Sequence, residues 1–373
     1  MHQTLNKTTN QVTNSLEQLR QQTLKNKQAA MLVFSDNNIR YLSNFSGHAA
    51  TLLLTDQINY LITDYRYVEQ AKSQAVGFEV ICRDRANQSL NALICQLLEK
   101  AQCPNLYFES QHIDVAQWQS MSVEIQSLNS IKSVLPITSA IEKLRMIKSD
   151  DEVAYISEAA QIADQALANI LPLAKVGITE RELATELEYQ MAKLGSEELS
   201  FATILLFGER SALPHGIPSN RALKKGDLIL IDFGAVVNGY RSDMTRTYIF
   251  GEADAKQKRI YQLVKDAQQA AIDAIAIGVT GKQLYQESAN ILLNSEYSDY
   301  AGEGLGHGVG LQLHEIPFLG DSCDTRIDKG CVITIEPGIY IPGWGGVRIE
   351  DDLVLTDDGL KIITQAPKEL LVL

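Results

Sequence analysis

The chain has 373 residues, and its 46 acidic and 33 basic side chains give a formal net charge of −13. Hydrophobic residues at 45% and charged residues at 21% are typical of a globular protein, and the length favours two domains. The acidic balance argues against nucleic acid and anionic membrane as main partners, because both attract clustered Lys and Arg. Carboxylates also hold cations, so this composition is compatible with a metal site.

The N-terminal 28 residues are rich in Gln, Asn, Thr and Lys and contain no apolar stretch of the kind that a signal peptide needs. No apolar run elsewhere approaches the ~18 residues of a membrane span. The five cysteines are scattered without a CxxC spacing, which argues against a zinc knuckle and a disulfide framework. We therefore expect a cytoplasmic protein with reduced thiols.

Short β-like runs alternate with helical patterns in the first part of the chain, which predicts an α/β N-terminal domain over residues 1–140. Strands are predicted at 31–34, 51–54, 60–62, 78–81 and 106–108, and helices at 64–73 and 90–100. This domain carries no chemical signature. The seam to a second domain is predicted between residues 136 and 149, where the strand pattern ends.

Capping boxes mark the beginnings of two helices in the second domain. Ser149 with Glu152, and Thr179 with Glu182, each combine a hydroxyl and a carboxylate that satisfy free backbone amides. Gly195 can end the second of these helices. Two further helices are predicted at 256–277 and 281–293, the latter capped by Thr280.

Three pairs of short stretches resemble one another in the same order along the second domain. The pairs are 177–183 with 278–284, 215–218 with 314–317, and 225–234 with 329–338. Each half therefore supplies a helix, a His-x-Ile-Pro sequence and an apolar strand that ends in a carboxylate. Duplication explains three ordered matches better than chance does, and a site between the halves would draw ligands from both.

The first carboxylate pair lies on a predicted hairpin. Asn238-Gly239 between apolar runs is a strong turn signal, since both residues accept positive φ. A turn centred there places Asp232 opposite Thr245, with Asp243 diagonal to Asp232 on the same face. An edge strand with solvated aspartates is the alternative, but Asp232 follows Leu-Ile-Leu-Ile and is expected to be buried. Two buried like charges cost several kcal/mol unless a cation neutralises them.

Glu336 and Glu350 repeat this arrangement around a second predicted turn at Gly343, so that the two glutamates face each other. His307 lies between glycines, which allow close approach by a ligand or metal, and His314 follows it. Four carboxylates and one imidazole suit Mn²⁺ or Co²⁺ better than structural zinc. Two metals bridged by carboxylates would use all five ligands and generate a hydroxide nucleophile near neutral pH.

Motifs of competing chemistries are absent from the sequence. There is no HExxH, GxSxG, Walker A or GxGxxG motif, and the glycine-rich stretch 302–310 has the wrong spacing for a dinucleotide turn. The carboxylates and histidines are therefore the strongest chemical signal.

With these motifs the second domain, residues 141–373, resembles the pita-bread metallopeptidases, which include methionine aminopeptidase, aminopeptidase P and prolidase. The N-terminal domain resembles that of the Xaa-Pro-cleaving branch. The matching motifs lie at 39–46, 61–67, 231–235, 242–247, 306–311, 336–340 and 347–351. The resemblance implies an α/β creatinase/prolidase-like N-terminal domain and an α+β pita-bread catalytic domain with an internal pseudo-twofold repeat.

The resemblance also implies a ligand set for two divalent metal ions, with Mn²⁺ expected and Co²⁺ or Zn²⁺ as alternatives. Its members would be Asp232, Asp243, His307, Glu336 and Glu350. Asp243 and Glu350 would bridge the two metals.

Catalytic roles follow from the same resemblance. His215 and His314 would orient the peptide carbonyl and stabilise the tetrahedral oxyanion. Glu336 would carry the proton, and Arg348 would order the ligand carboxylates. The branch commonly has a further histidine four residues before the metal histidine, where this chain has Glu303. A glutamate cannot donate a hydrogen bond to a substrate carbonyl as a histidine can.

The resemblance thus implies a metal-dependent exopeptidase that releases the N-terminal residue from short Xaa-Pro peptides, as an aminopeptidase or a dipeptidase. It also implies a homodimer. Two alternatives use the same fold: a non-catalytic peptide-binding or scaffold protein, and a creatinase-type amidinohydrolase, which needs no metal. Metal content and activity in Asp243→Ala would separate the three.

Overall fold

A computed structural model describes residues 2–22 and 28–373 of the chain, with side chains considered from residue 12 onward. The chain divides into two compact units, Met1–Arg145 and Met146–Leu373. The prediction that the N-terminal 28 residues lack a signal peptide falls partly on residues 1 and 23–27, outside the described residues. Within the described ranges, no helix is long and apolar enough to cross a membrane.

The first unit contains a six-stranded mixed sheet in the order β4-β3-β2-β1-β5-β6. Strands β1–β6 span Ala29–Val33, Thr51–Leu54, Asn59–Thr63, Glu79–Cys82, Asn105–Glu109 and Ser133–Ile137. Helices α1–α6 span His2–Gln22, Asp36–Ser43, Val68–Gln74, Leu90–Ala101, Val115–Gln126 and Ala140–Arg145. The α/β class and all five predicted strands are confirmed to within two residues.

Helix α3 begins at Val68, four residues later than predicted. The Asp64 carboxylate accepts hydrogen bonds from the backbone amide and the guanidinium of Arg66, at 2.7–3.1 Å, which forms a turn instead of a first helical turn. The prediction of a helix from residue 64 was therefore wrong at its beginning.

The second unit holds two helix pairs and two main sheets. Helices α7–α10 span Asp150–Ile170, Glu180–Leu194, Ala255–Asp273 and Gly281–Leu293. Strands β7–β18 span Ile204–Phe207, Leu228–Phe233, Val236–Val237, Tyr240–Arg241, Met244–Ile249, Gly306–Gly308, Glu315–Leu319, Val332–Ile335, Gly338–Ile341, Gly345–Arg348, Asp351–Thr356 and Gly359–Ile362. The sheets are ordered β11-β8-β7 and β13-β12-β14-β17-β18, and β9-β10 and β15-β16 form two-stranded ribbons.

The predicted caps are present in these helices. Ser149 with Glu152 and Thr179 with Glu182 form complete capping boxes, and Gly195 ends α8 with φ of 111°. Thr280 caps α10 in the same way. Helix α9 ends at Asp273, short of the predicted residue 277.

The internal repeat is visible in the backbone hydrogen bonds. The amide of Gly177 donates to Leu223 at 3.0 Å, and the amide of Gly278 donates to Ile327 at 2.8 Å. Isolated bridges Thr179–Ala222 and Thr280–Arg326 follow at matching places. Each half therefore ties the beginning of its second helix to the segment before its carboxylate-bearing strand, as a duplicated unit would.

Candidate metal centre and active site

The first carboxylate pair is positioned by the hairpin around Asn238-Gly239. These residues have φ of 48° and 73°, and β8 pairs with β11 so that Asp232 lies opposite Thr245, as predicted. Asp232 and Asp243 are 7% and 4% exposed, so the hairpin buries two carboxylates away from the water that would solvate their charges.

The second pair is positioned by two ladders that keep one register. In the β14–β17 pair Ile335 lies opposite Asp351, and in the β15–β16 pair Gly338 lies opposite Arg348. Both pairs have the same register, so Glu336 and Glu350 occupy opposed positions between them, as predicted. Glu350 is 1% exposed, whereas the side chain of Glu336 is 26% exposed. One glutamate is therefore enclosed and the other reaches the cavity.

His307 meets the carboxylates from strand β12. Its Nδ1 lies 3.0 Å from the Gly308 carbonyl oxygen, an arrangement in which Nδ1 donates and Nε2 keeps a free lone pair. Nε2 lies 3.6 Å from Oδ2 of Asp243 and 3.4 Å from Oε1 of Glu336. Ligand atoms of Asp243, His307 and Glu350 all lie within 4.8 Å of one another, a spacing that one cation can satisfy.

The glycine before His307 makes this approach geometrically feasible. A Cβ on Gly306 would lie 2.2 Å from the Thr334 carbonyl oxygen, and its φ of 154° is itself unfavourable for other residues. The His307 amide also donates to the Thr334 hydroxyl at 3.0 Å. The bare backbone at Gly306 therefore lets β12 approach β14 closely enough for the His307 imidazole to reach the candidate carboxylates.

The electrostatics of this group fit divalent cations. Burial, followed by the charges of Glu350 and Asp232, raises the pKa of Asp243 well above its ordinary value. Burial and the charge of Glu336 do the same to the pKa of Glu350, and burial raises the pKa of Glu336 to about 7. The Oδ1 atoms of Asp232 and Asp243 are buried without a hydrogen-bond partner among the described residues. Divalent cations would satisfy these oxygens and remove the repulsion.

Arg348 links the carboxylates to the surrounding strands. Its guanidinium donates to Asp232, to the Thr245 hydroxyl at 3.0 Å and to the Tyr340 hydroxyl at 2.7 Å. The Thr245 hydroxyl donates in turn to Glu350 at 2.6 Å. Arg348 therefore orients the Asp232 carboxylate directly and the Glu350 carboxylate through the Thr245 hydroxyl.

The two remaining predicted residues, His215 and His314, line the same cavity of about 620 Å³. The rings of His314 and His307 meet edge to face with centroids 4.3 Å apart. Burial, with His307 and His215 nearby, lowers the pKa of His314, so its imidazole is neutral at pH 7 and can donate one hydrogen bond. All eight predicted site residues thus lie at one cavity, and their roles stay predictions.

Sequence reasoning missed Tyr340 and Asp352 as members of this site. Tyr340 lines the cavity, and the Asp352 carboxylate accepts a hydrogen bond from the Asp243 amide at 2.8 Å. Burial raises the pKa of Asp352 well above its ordinary value. Tyr340 ends the motif 336–340 and Asp352 directly follows the motif 347–351, which was the available signal.

A second cluster of possible ligand type, formed by Glu109, His112 and Glu142, lies in the first unit. Its oxygens already accept hydrogen bonds: Glu109 from the amides of residues 34 and 35, and both glutamates from the Asn38 side chain. The Asn38 amide therefore satisfies the carboxylate oxygens that a cation would otherwise bind. We interpret the cluster as a structural hydrogen-bond network.

Metal-induced stabilisation should grow with pH. Raised pKa values of Asp243, Glu336 and Glu350 mean that the metal-free folded chain binds more protons than the unfolded chain, so its stability falls as pH rises from about 5 to 8. Bound Mn²⁺ requires the ionised carboxylates and removes that loss. We expect the increase in melting temperature on adding Mn²⁺ to be larger at about pH 8 than at pH 5. A pH-independent increase would contradict the assignment.

Two family models match the chain. Residues 154–357 match metallopeptidase family M24, and residues 16–147 match the creatinase/prolidase N-terminal domain. The uncharacterized peptidase YqhT of Bacillus subtilis is 41% identical over 343 residues, covering 92% of this chain and 95% of that protein.

Solved structures agree with these matches. An Xaa-Pro dipeptidase from Bacillus anthracis has a TM-score of 0.90 and 37% identity, covering 97% of this chain and 100% of that chain. An X-Pro aminopeptidase from Thermotoga maritima MSB8 has a TM-score of 0.85 and 32% identity, covering 92% and 97%. This chain is therefore similar to peptidases in sequence and fold along nearly its whole length.

Proposed function

This chain belongs to metallopeptidase family M24, and we propose that it is an exopeptidase that hydrolyses the bond between an N-terminal residue and proline. The predicted resemblance and the predicted fold class, a creatinase/prolidase N-terminal domain with a pita-bread catalytic domain, are confirmed. The observation that carries the proposal is the set of four carboxylates, three of them buried, that lines one cavity with His307 and includes ligand oxygens without partners among the described residues. A non-catalytic or metal-independent protein would have no use for that set.

We propose that this set holds two divalent metal ions, Mn²⁺ in the first place. Its members are Asp232, Asp243, His307, Glu336 and Glu350. When bound, such ions supply Lewis acidity and lower the pKa of water toward neutrality. The chain's own part is to hold these ligands in place, which Arg348 supports through its hydrogen bonds to Asp232 and Thr245.

The remaining residues can move protons and bind the reacting carbonyl. Glu336 borders the cavity, and its carboxylate can accept a proton and return it to the leaving proline nitrogen. Neutral His314 can donate a hydrogen bond to the substrate carbonyl oxygen, and His215 lines the same cavity. Proline nitrogen carries no hydrogen in the peptide bond, so a site of this kind needs no acceptor for it.

Apolar side chains of the cavity lining suit a proline ring. They belong to Phe201, Ile204, Leu313, Phe318 and Leu319. Short proline-containing peptides are the proposed substrates, and the relatives named as an Xaa-Pro dipeptidase and an X-Pro aminopeptidase support this choice. A cytoplasmic location and a homodimer are further proposals, supported by the sequence and by the family resemblance.

Purified full-length protein supplied with Mn²⁺ should release the N-terminal residue from Ala-Pro-Ala or Ala-Pro and leave Ala-Ala-Ala intact. Chelation should abolish turnover, and added Mn²⁺ should restore it. Elemental analysis should find about two metals per chain. Metal-loaded protein that cleaves neither proline peptide would contradict the proposed function.

A further inference from the structure

Glu303 is a carboxylate of the cavity lining for which the proposed chemistry has no role. It is exposed, in a loop that precedes β12, and it lines the same cavity as the candidate ligands. Within the described chain it takes part in no hydrogen bond or ion pair. Gly302 and Gly304 flank it, so neither neighbour has a side chain that could shield the carboxylate.

Among the described residues, the cavity lining offers no free Lys or Arg that could balance Glu303. Among the described lining residues, Arg348 is the only Lys or Arg, and it is 4% exposed. Its guanidinium already donates to Asp232, Thr245 and Tyr340. The four candidate ligand carboxylates would be matched by two divalent ions, whereas Glu303 has no ion-pair partner among the described residues.

This charge arrangement distinguishes two kinds of proline peptide. In an Xaa-Pro dipeptide the proline bears a free carboxylate, while in Xaa-Pro-Yaa the same carbon is a neutral amide. A cavity of 620 Å³ is about 10 Å across, well within the ~30 Å Debye length of 0.01 M salt, so at low ionic strength Glu303 repels a carboxylate that is bound in this cavity. A dipeptidase would also need a free cation for the proline carboxylate, and the described lining provides none.

We propose that Glu303 is a specificity-determining residue that directs the cavity to peptides extended beyond proline and away from Xaa-Pro dipeptides. The inference rests on the proposed function. It predicts that removing the Glu303 charge relaxes discrimination between the two substrate kinds and leaves the metal site intact.

Ala-Pro and Ala-Pro-amide test this directly, because they differ in one charge and little else. With the Mn²⁺-loaded enzyme at low ionic strength and about pH 8, we expect kcat/KM to favour the amide about fivefold or more. In Glu303→Gln the ratio should approach one, through a lower KM for Ala-Pro, and in Glu303→Lys it should favour the dipeptide. Asp299→Asn, which removes an exposed charge four residues earlier and outside the lining, should keep the wild-type ratio.

The outcomes separate this inference from the function on which it rests. A wild-type preference for Ala-Pro, or an unchanged ratio in Glu303→Gln, would overturn the role of Glu303 alone. Turnover of neither substrate by metal-loaded protein would overturn the proposed function and this inference with it. Because Glu303 is exposed and unpaired, its substitution should leave the melting temperature unchanged, which verifies that each variant is folded.

Discussion

Asp243→Asn should lose about a thousandfold in kcat/KM on proline peptides, the equivalent of several kcal/mol of metal-dependent transition-state stabilisation. Asp243 is 4% exposed and its Oδ2 lies 3.6 Å from Nε2 of His307, so it is central to the candidate ligand set. An amide of the same shape removes the charge that would bridge two cations. Elemental analysis should find fewer bound metals than in the wild type.

In the absence of metal, Asp243→Asn should stabilise the folded protein, although it lowers activity. Asp243 is repelled by Glu350 and Asp232, so removing its charge should raise the melting temperature of the metal-free protein at about pH 8. Asp299→Asn, an exposed charge removal, should change neither activity nor metal content. Full metal content with normal turnover in Asp243→Asn would contradict the proposed ligand set.

Lys148→Met should destabilise the folded protein by about 3–5 kcal/mol, since it removes the positive charge that faces a buried carboxylate. Nζ of Lys148 lies 3.0 Å from Oε2 of Glu315, and their side chains are 1% and 3% exposed. For a unit of this size the loss corresponds to a fall in melting temperature of about 10 °C. Because Glu315 follows His314 directly, kcat should fall as well.

A double substitution distinguishes a broken ion pair from lost packing. Lys148→Met combined with Glu315→Gln removes both charges, and it should recover a measurable part of the stability lost in Lys148→Met alone. Lys282→Met is the matched control, because its partner Asp321 lies 3.5 Å away and both side chains are exposed. It should cost no more than about 1 kcal/mol in urea unfolding. Equal effects of the two lysine substitutions would contradict the argument from burial.

Local signals predicted the two carboxylate hairpins correctly. Asn238 and Gly239 adopt the positive φ values that a tight hairpin requires, and the register of Asp232 with Thr245 follows by counting outward from the turn. Counting from Gly343 gives the opposed positions of Glu336 and Glu350 in the same way. These features depend on a few neighbouring residues, which is why the chain order alone was sufficient.

The helices α1, α2, α5 and α6 and strand β6 of the first unit were not predicted. Helix α2 has only eight residues, Asp36–Ser43, and two of its first three are asparagines, which are typical of turns. The structure buries Asn38 because its amide bonds to Glu109 and Glu142, residues 71 and 104 positions away. Contacts at that distance leave no trace in the local sequence pattern.

The two hairpins with their registers, the helix caps, the internal repeat and the family resemblance are evident from the order of residues along the chain, which also nominates five candidate ligands. The packing of whole elements is what places Nε2 of His307 3.6 Å from Oδ2 of Asp243, engages Arg348 with Asp232, and turns Glu303 to the cavity without an ion-pair partner among the described residues. Strand register propagates through adjacent backbone hydrogen bonds, whereas the meeting of side chains from separate strands depends on how whole elements pack. The net charge of −13 therefore bears on function only through the few carboxylates that the fold brings together at one site.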